Sequence, residues 1–307
     1  MEVKAWPVIC VVCLLLLSFF VSQPARADDA CALNEAGEIP VAFDAKGGKP
    51  LVTLTAGDQS VTLLLDTEGP FSTIRPEVVA RLQGMTRSTM GLDRSMQIGG
   101  KPVGSYAVLK NIMIGRATLT RADFAIVPDG VKLDYDGTLG MDILSEFDVE
   151  FDLLNAKMKI FLHVNCDKSP VYWTDAYSDI DLLDNPLHYV VFRTALDGKD
   201  TPTILGTAYR LTAMPRNVAG ERFNIRPKSP AACSKDNQTG DKFAQLDIGG
   251  LTIRNPEINS DCDHPLCPTT ETVVPQLGIG VNHLKKLRIF VAWKQKKIYF
   301  SPATVAS

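Results

Sequence analysis

The chain has 307 residues, 45% of them hydrophobic and 22% charged, with a formal net charge of −3. That length and balance fit an ordinary folded globule of one large or two medium domains with a real core. No stripe of clustered Lys and Arg is present, which argues against a nucleic-acid partner.

The N-terminus reads as a targeting segment. Lys4 is its basic residue, residues 8–21 are almost wholly apolar, and Ala25-Arg26-Ala27 places small side chains before Asp28. This is the layout of a secretory signal peptide, and the apolar stretch is short for a spanning helix. Residues 1–27 are therefore expected to be removed, leaving an exported protein, periplasmic or secreted, without a membrane span. Cys10 and Cys13 leave with that segment, and Cys31, Cys166, Cys233, Cys262 and Cys267 remain. Five is odd, so at least one thiol stays free or pairs outside the chain. Cys262 and Cys267 are close enough to close a small loop, and Cys31 and Cys166 flank the first half and could clip its ends, with connectivity open. The run Cys262-Asp263-His264-Pro265-Leu266-Cys267 also holds three potential zinc ligands. A structural zinc site needs four, so no metal or other cofactor is expected.

Short β-rich segments then follow one another. Leu51-Val52-Thr53-Leu54 and Val61-Thr62-Leu63-Leu64-Leu65, joined by Ala56-Gly57-Asp58-Gln59, predict a hairpin. Pro76-Glu77-Val78-Val79-Ala80-Arg81-Leu82 predicts a short helix with proline near its start. Met96-Gln97-Ile98-Gly99-Gly100, running to Tyr106-Ala107-Val108-Leu109, predicts a second hairpin with a glycine turn. Ile112-Met113-Ile114-Gly115 and Ala122-Asp123-Phe124-Ala125-Ile126-Val127 supply two more strands. Regular short strands with turn signals argue for an all-β barrel or sandwich.

The second half repeats this order. His188-Tyr189-Val190-Val191-Phe192 predicts a strand, Leu196-Asp197-Gly198-Lys199 a turn, and Thr203-Ile204-Leu205-Gly206-Thr207-Ala208 takes the place held earlier by Leu63-Leu64-Leu65-Asp66-Thr67-Glu68. Leu246-Asp247-Ile248-Gly249 mirrors Ile112-Met113-Ile114-Gly115, and Leu277-Gly278-Ile279-Gly280 mirrors Leu139-Gly140-Met141-Asp142. Leu144 matches Leu284, Phe147 matches Leu287, Val149 matches Ile289 and Met158 matches Ile298. The expected organisation is an N-terminal lobe over 28–170, an acidic, turn-rich linker region over 171–187 and a C-terminal lobe over 188–307. Residues 222–242 are polar and rich in Pro, Ser and Gly and read as a long loop. Within it Asn237-Gln238-Thr239 matches a glycosylation acceptor.

Two segments carry the chemistry. In Leu63-Leu64-Leu65-Asp66-Thr67-Glu68-Gly69-Pro70, an apolar run ends on a carboxylate that is costly to bury unless hydrogen-bonded or paired. Thr67 and the following amides could supply those bonds. The second segment is Asp136-Gly137-Thr138-Leu139-Gly140-Met141-Asp142, followed by the closing pair of strands. Together they resemble the retropepsin-like aspartic proteases, including bacterial two-lobed relatives. The resemblance implies two retropepsin-like lobes related by an internal repeat, with a cleft between them for a peptide or unfolded protein. It implies a catalytic Asp66 in an Asp-Thr-Gly-type turn, supported by Thr67, Glu68, Gly69, Leu139 and Gly140. It also implies that residues Met96, Gln97, Ile98, Gly99 and Gly100 form a flap over the substrate.

In that family two carboxylates share one proton, one activating a water and the other donating to the substrate carbonyl. The second-lobe equivalent of Asp66 is Gly206, followed by Thr207, so the second carboxylate is missing there. Asp200-Thr201-Pro202 looks like a second motif, but no apolar strand leads into it and proline holds the glycine position, so Asp200 reads as turn chemistry. A homodimer of two first lobes would have to displace the chain's own second lobe, and a monomer is expected. Glu68 stands where the family has glycine. It could act as the second acid, although an outward-pointing side chain is the simpler expectation. Asp142 and Asp152 are expected to make structural hydrogen bonds, and Trp173 and Trp293 to be core or interface residues. The expected function is an exported aspartic-type endopeptidase. The alternatives are a pseudopeptidase that binds peptide or partner protein without cutting, and a structural envelope protein.

Overall fold

The computed structural model describes residues 33–45, 48–88, 96–164, 167–225, 241–260 and 274–305. The signal-peptide segment, the cysteines Cys31, Cys166, Cys262 and Cys267, and the glycosylation acceptor lie outside the described residues. No helix among the described residues is long and apolar enough to cross a membrane.

The molecule is built of β-sheets arranged in two related lobes. In the first, Pro50–Ala56 and Gln59–Leu65 pair as an antiparallel hairpin turning at Gly57, whose φ is +65°. Along Gln59–Leu65 the outer residues are partly exposed, while Leu63, Leu64 and Leu65 are all buried. The change has a topological cause. Gly137–Leu139 runs parallel beside Leu63–Leu65 and is itself paired on its other edge with Thr73–Ile74. A strand flanked and covered in this way reads as a continuous apolar run.

The second lobe repeats the arrangement. Lys199–Leu205 returns from Val191–Leu196 through a turn at Asp197 and Gly198, both with positive φ, and runs parallel to Leu277–Ile279. Short helices Met141–Leu144 and Val281–Leu284 follow the two parallel strands, each entered through an extended glycine, Gly140 or Gly280. A Cβ on Gly140 would lie 2.6 Å from the Phe71 backbone, and one on Gly280 would lie 2.4 Å from that of Leu211. Both positions thus require glycine for close backbone approach.

The lobes are joined by a continuous sheet. The closing hairpin Asp148–Asp152 with Lys157–Leu162 meets its counterpart Leu287–Ala292 with Lys297–Pro302 through the pairs Val149 with Val291, Glu150 with Phe290 and Phe151 with Ile289. Asn34–Phe43 pairs with Lys157–Leu162 along one part and with Pro50–Ala56 along the next, carrying the sheet into the first lobe. One large apolar cluster spans both lobes, and a smaller one of Phe161, Val164, Phe290, Ala292 and Tyr299 lies against the joining sheet. Burying each such aromatic contributes roughly 1.5–3 kcal/mol.

Two sequence expectations change in detail. Tyr106-Ala107-Val108-Leu109 and Ile112-Met113-Ile114 belong to one strand, Ser105–Ile114, which pairs with Ala117–Ile126. The polar Lys110-Asn111 step lies within the ladder, whose register is the same on both sides of it although Asn111 has φ +53°, and is not a break between strands. The acidic linker region is not open chain: Ser178–Asp181 forms an edge strand on Lys297–Pro302.

Candidate active site

Asp66 sits where the buried strand Gln59–Leu65 ends. Its backbone N–H donates to the Leu139 carbonyl at 3.0 Å, and Gly206 N–H donates to the Ile279 carbonyl at 2.9 Å. The two turns therefore occupy equivalent places in the lobes, 140 residues apart, as are Thr67 and Thr207.

The threonines lock the turns together. Thr67 N–H donates to Thr207 Oγ1 at 2.9 Å, and Thr207 N–H donates to Thr67 Oγ1 at 3.1 Å. The hydroxyls then reach across, Thr67 to the Leu205 carbonyl at 2.5 Å and Thr207 to the Leu65 carbonyl at 2.7 Å. Both side chains are fully buried. Four reciprocal bonds in a dry environment fix the position of one lobe's turn against the other.

A second brace stands behind each turn. Asp142 Oδ1 accepts from Ser72 N–H and Oγ–H at 2.8 and 2.7 Å, and Ser72 Oγ accepts from Gly140 N–H at 2.9 Å. In the second lobe Asn282 Oδ1 accepts from Thr212 N–H and Oγ1–H at 2.8 and 3.1 Å, and Thr212 Oγ1 accepts from Gly280 N–H at 3.0 Å. Asp142 thus makes structural bonds. Asp152 does the same, accepting from the Asn155 side-chain amide at 3.0 and 2.8 Å.

The Asp66 carboxylate is held by its own turn. Oδ1 accepts from Glu68 N–H at 3.2 Å and Gly69 N–H at 2.9 Å. Burial raises its pKa, opposed by the Glu68 carboxyl, these two amides and the charge of Lys49. Tyr135 is close enough to feel the Asp66 charge. Burial first, then the charges of Asp66, Asp44 and Asp134, push the phenol up to about 12.

Glu68 departs from the outward-pointing expectation. Only 6% of it is exposed. Its Oε2 accepts from Ala208 N–H, across the lobe boundary, at 3.2 Å. Its Oε1 is buried with no hydrogen-bond donor, and a Cβ built on Gly206 would lie 2.2 Å from that same oxygen. The Glu68 carboxyl, with the Tyr209 ring 2.6 Å from the same Cβ, therefore fills the volume that a second-lobe side chain would need. Burial, and then the Asp66 charge, raise its pKa well above the ordinary value of 4.5.

Residues 96–100 stand apart from this knot of bonds. Gln97–Ile98 and Lys101–Pro102 form a small hairpin turning at Gly99 and Gly100. It leans on the neighbouring loop, where Lys101 Nζ donates to the Asp129 carbonyl at 2.6 Å and Gly99 faces Val131. Asp200 lies on the strand just past the Asp197-Gly198 turn, paired with Arg193 at the surface. A separate pocket of about 630 Å³, lined by residues including Ser145, His188 and Trp293, contains neither Asp66 nor Glu68. Among the described residues no group of three His, Cys, Asp or Glu is placed to hold a metal ion.

Comparison with known proteins agrees with this geometry. Residues 52–143 match the family model described as aspartyl protease. The aspartic proteinase from Irpex lacteus shares the fold with a TM-score of 0.55 at 12% identity, over 87% of this chain and 97% of that one. Basic 7S globulin from soybean does so with a TM-score of 0.51 at 10% identity, over 88% and 95%. No curated protein matches the sequence. The first lobe is thus similar in sequence to aspartyl proteases over residues 52–143, and the chain as a whole shares the two-lobed fold of the aspartic proteinases.

Proposed function

We propose that the protein is an exported aspartic-type endopeptidase that cuts extended or unfolded polypeptide in a cleft between the two lobes, with Asp66 as the principal carboxylate. The observation that carries the reading is the Asp66 turn itself. A carboxylate at the end of a buried strand keeps two backbone amides as donors and is tied through reciprocal threonine bonds to its second-lobe counterpart. A surface turn has no use for that apparatus, whereas a water-activating carboxylate needs a fixed position and a stabilised charge. The hairpin of residues 96–100 is the proposed flap over the bound chain. Residues 1–27 are the proposed export signal, and bridges among Cys31, Cys166, Cys262 and Cys267 are the matching proposal for an oxidising compartment. A monomer suffices, because both turns come from one chain.

The second reading is a peptide-binding protein that does not cut. It is favoured by the absence of any side chain at Gly206. One assay separates the two: digestion of a reduced, alkylated protein by the wild type and by Asp66→Asn from pH 3 to 7, with and without a statine-type peptide inhibitor. Cleavage that the inhibitor blocks and Asp66→Asn abolishes is the expected result. Equal cleavage by both proteins would remove Asp66 from the chemistry, and binding without cleavage in either would establish the second reading.

A further inference from the structure

We infer that Glu68 is the second catalytic acid, delivered from the first lobe's own turn into the place vacated at Gly206. This rests on the reading of Asp66 as the first. The internal repeat supplies the argument. In the first lobe the amide two residues beyond the acid position, Glu68 N–H, donates to the Asp66 carboxylate. In the second lobe the corresponding amide, Ala208 N–H, donates to the Glu68 carboxylate. Each turn therefore presents its amide to one carboxyl, and both carboxyls belong to the same short stretch of chain. The would-be Cβ of Gly206 falls on Glu68 Oε1. An acid gained at 68 and a side chain lost at 206 are one exchange, in which two carboxyls remain and only the origin of the second has moved.

The roles follow from the partners. Asp66 Oδ1 accepts from two amides and suits the anion. Glu68 has one amide, little exposure and an oxygen without a donor, so it suits the proton-bearing form. With solvent water as co-reactant, Asp66 takes a proton from the water as its oxygen bonds to the peptide carbonyl carbon, and the Glu68 proton passes to the carbonyl oxygen. The diol then collapses. The C–N bond breaks with its electron pair on nitrogen, nitrogen takes the proton held by Asp66, and a diol hydroxyl returns a proton to Glu68. Acid and amine leave, and both carboxyls regain their starting states.

The test compares wild type, Asp66→Asn, Glu68→Gln and the double variant Glu68→Gly with Gly206→Asp, all on one reduced, alkylated protein substrate. Melting curves confirm the fold. The expected result is a loss of kcat by about a hundredfold or more in Glu68→Gln, and substantial recovery in the double variant, where the acid is moved to the other turn. Isotope-edited infrared spectra should show the Glu68 carboxyl titrating above the ordinary carboxyl range, and titrating lower in Asp66→Asn, where the neighbouring charge is gone and the burial remains. If Asp66→Asn is inactive while Glu68→Gln keeps full activity, the Glu68 assignment fails and the Asp66 reading stands. If Asp66→Asn stays active, the underlying reading fails. Should Glu68→Gln not fold, Glu68→Ala takes its place, and a folded Glu68→Ala with full activity overturns the assignment.

Discussion

At Asp66 and Glu68 a half-buried and a buried acid lie side by side, and the burial of Glu68 sets how stability responds to pH. The folded state raises the Glu68 pKa well above 4.5, by burial first and the Asp66 charge second. The folded protein therefore holds that proton at pH values where the unfolded chain has released it. The stability contributed is fully present below the ordinary pKa and is lost as pH rises through the folded one. Glutamine keeps the size and stays neutral, so the Glu68→Gln variant should gain on the wild type as pH rises from 4 to 8. Urea midpoints for the two proteins across that range check this, and parallel curves would show that Glu68 titrates as an exposed side chain does. Asp66 was legible in the sequence as a candidate, because an apolar run that ends on a carboxylate is costly to bury unless hydrogen-bonded or paired, and because the segment of residues 136–142 completes the resemblance. The placement of Glu68 was not. Its inward course depends on a vacancy 138 residues later in the chain, since glycine at 206 leaves room only when the second lobe is docked. The usable signal was the complementarity of two departures, an extra carboxyl at 68 and a missing one at 206, which a reading of each turn alone does not expose.

The paired elements behave as two copies of one device with unequal parts. Each short helix after a parallel strand anchors its lobe's turn, through Asp142 in one lobe and Asn282 in the other. The second copy adds His283, fully buried, with Nδ1 2.6 Å from Thr212 Oγ1. Burial, aided by the charge of Lys286, lowers its pKa to about 4. The unfolded chain binds a proton near 6.5, so folding excludes it, and stability should fall as pH drops from about 6.5 to 4. The loss across that window is on the order of 2–3 kcal/mol. In His283→Leu the difference should shrink, as read from urea midpoints at pH 6.5 and 4, and an unchanged pH dependence would mean that His283 stays accessible to protonation. At this scale most of the fold was legible in the sequence. The repeat was visible because the strand after each hairpin, the glycine and the closing pair keep their order and spacing. The continuity of the strand through Asn111 and the strand inside the linker region were hidden, because a left-handed Asn and an acidic edge strand carry the same local signals as turns.

Across the whole molecule the lobes are held by the joining sheet as well as by the threonine bonds. Glu150 is buried in that sheet. Its Oε1 accepts from Arg288 Nε at 2.8 Å and its Oε2 from the Tyr172 hydroxyl at 2.8 Å. The Arg288 guanidinium also lies 4.3 Å from the Trp173 ring centre, and Trp173 Nε1 donates to Ser301 Oγ. This cluster links the first lobe, the segment after it and the second lobe. Replacing Arg288 by Met leaves Glu150 buried with only the Tyr172 hydroxyl and the charge of Lys159 to offset its own. Arg288 is partly solvated, so the cost should lie near or below the low end for a broken buried pair, about 2–3 kcal/mol. Chemical denaturation measures it, and a loss below about 0.5 kcal/mol would show that the pair does not couple the lobes.

The central claim is that one turn supplies both acids to a site completed by two lobes. A crystal structure of the protein with a statine-type peptide inhibitor tests it most directly. The inhibitor hydroxyl is expected within hydrogen-bond distance of both the Asp66 and Glu68 carboxyls, over the junction of Thr67 and Thr207, with its chain running between the lobes. An inhibitor seated elsewhere, or a hydroxyl bound by Asp66 while Glu68 points away, would contradict it.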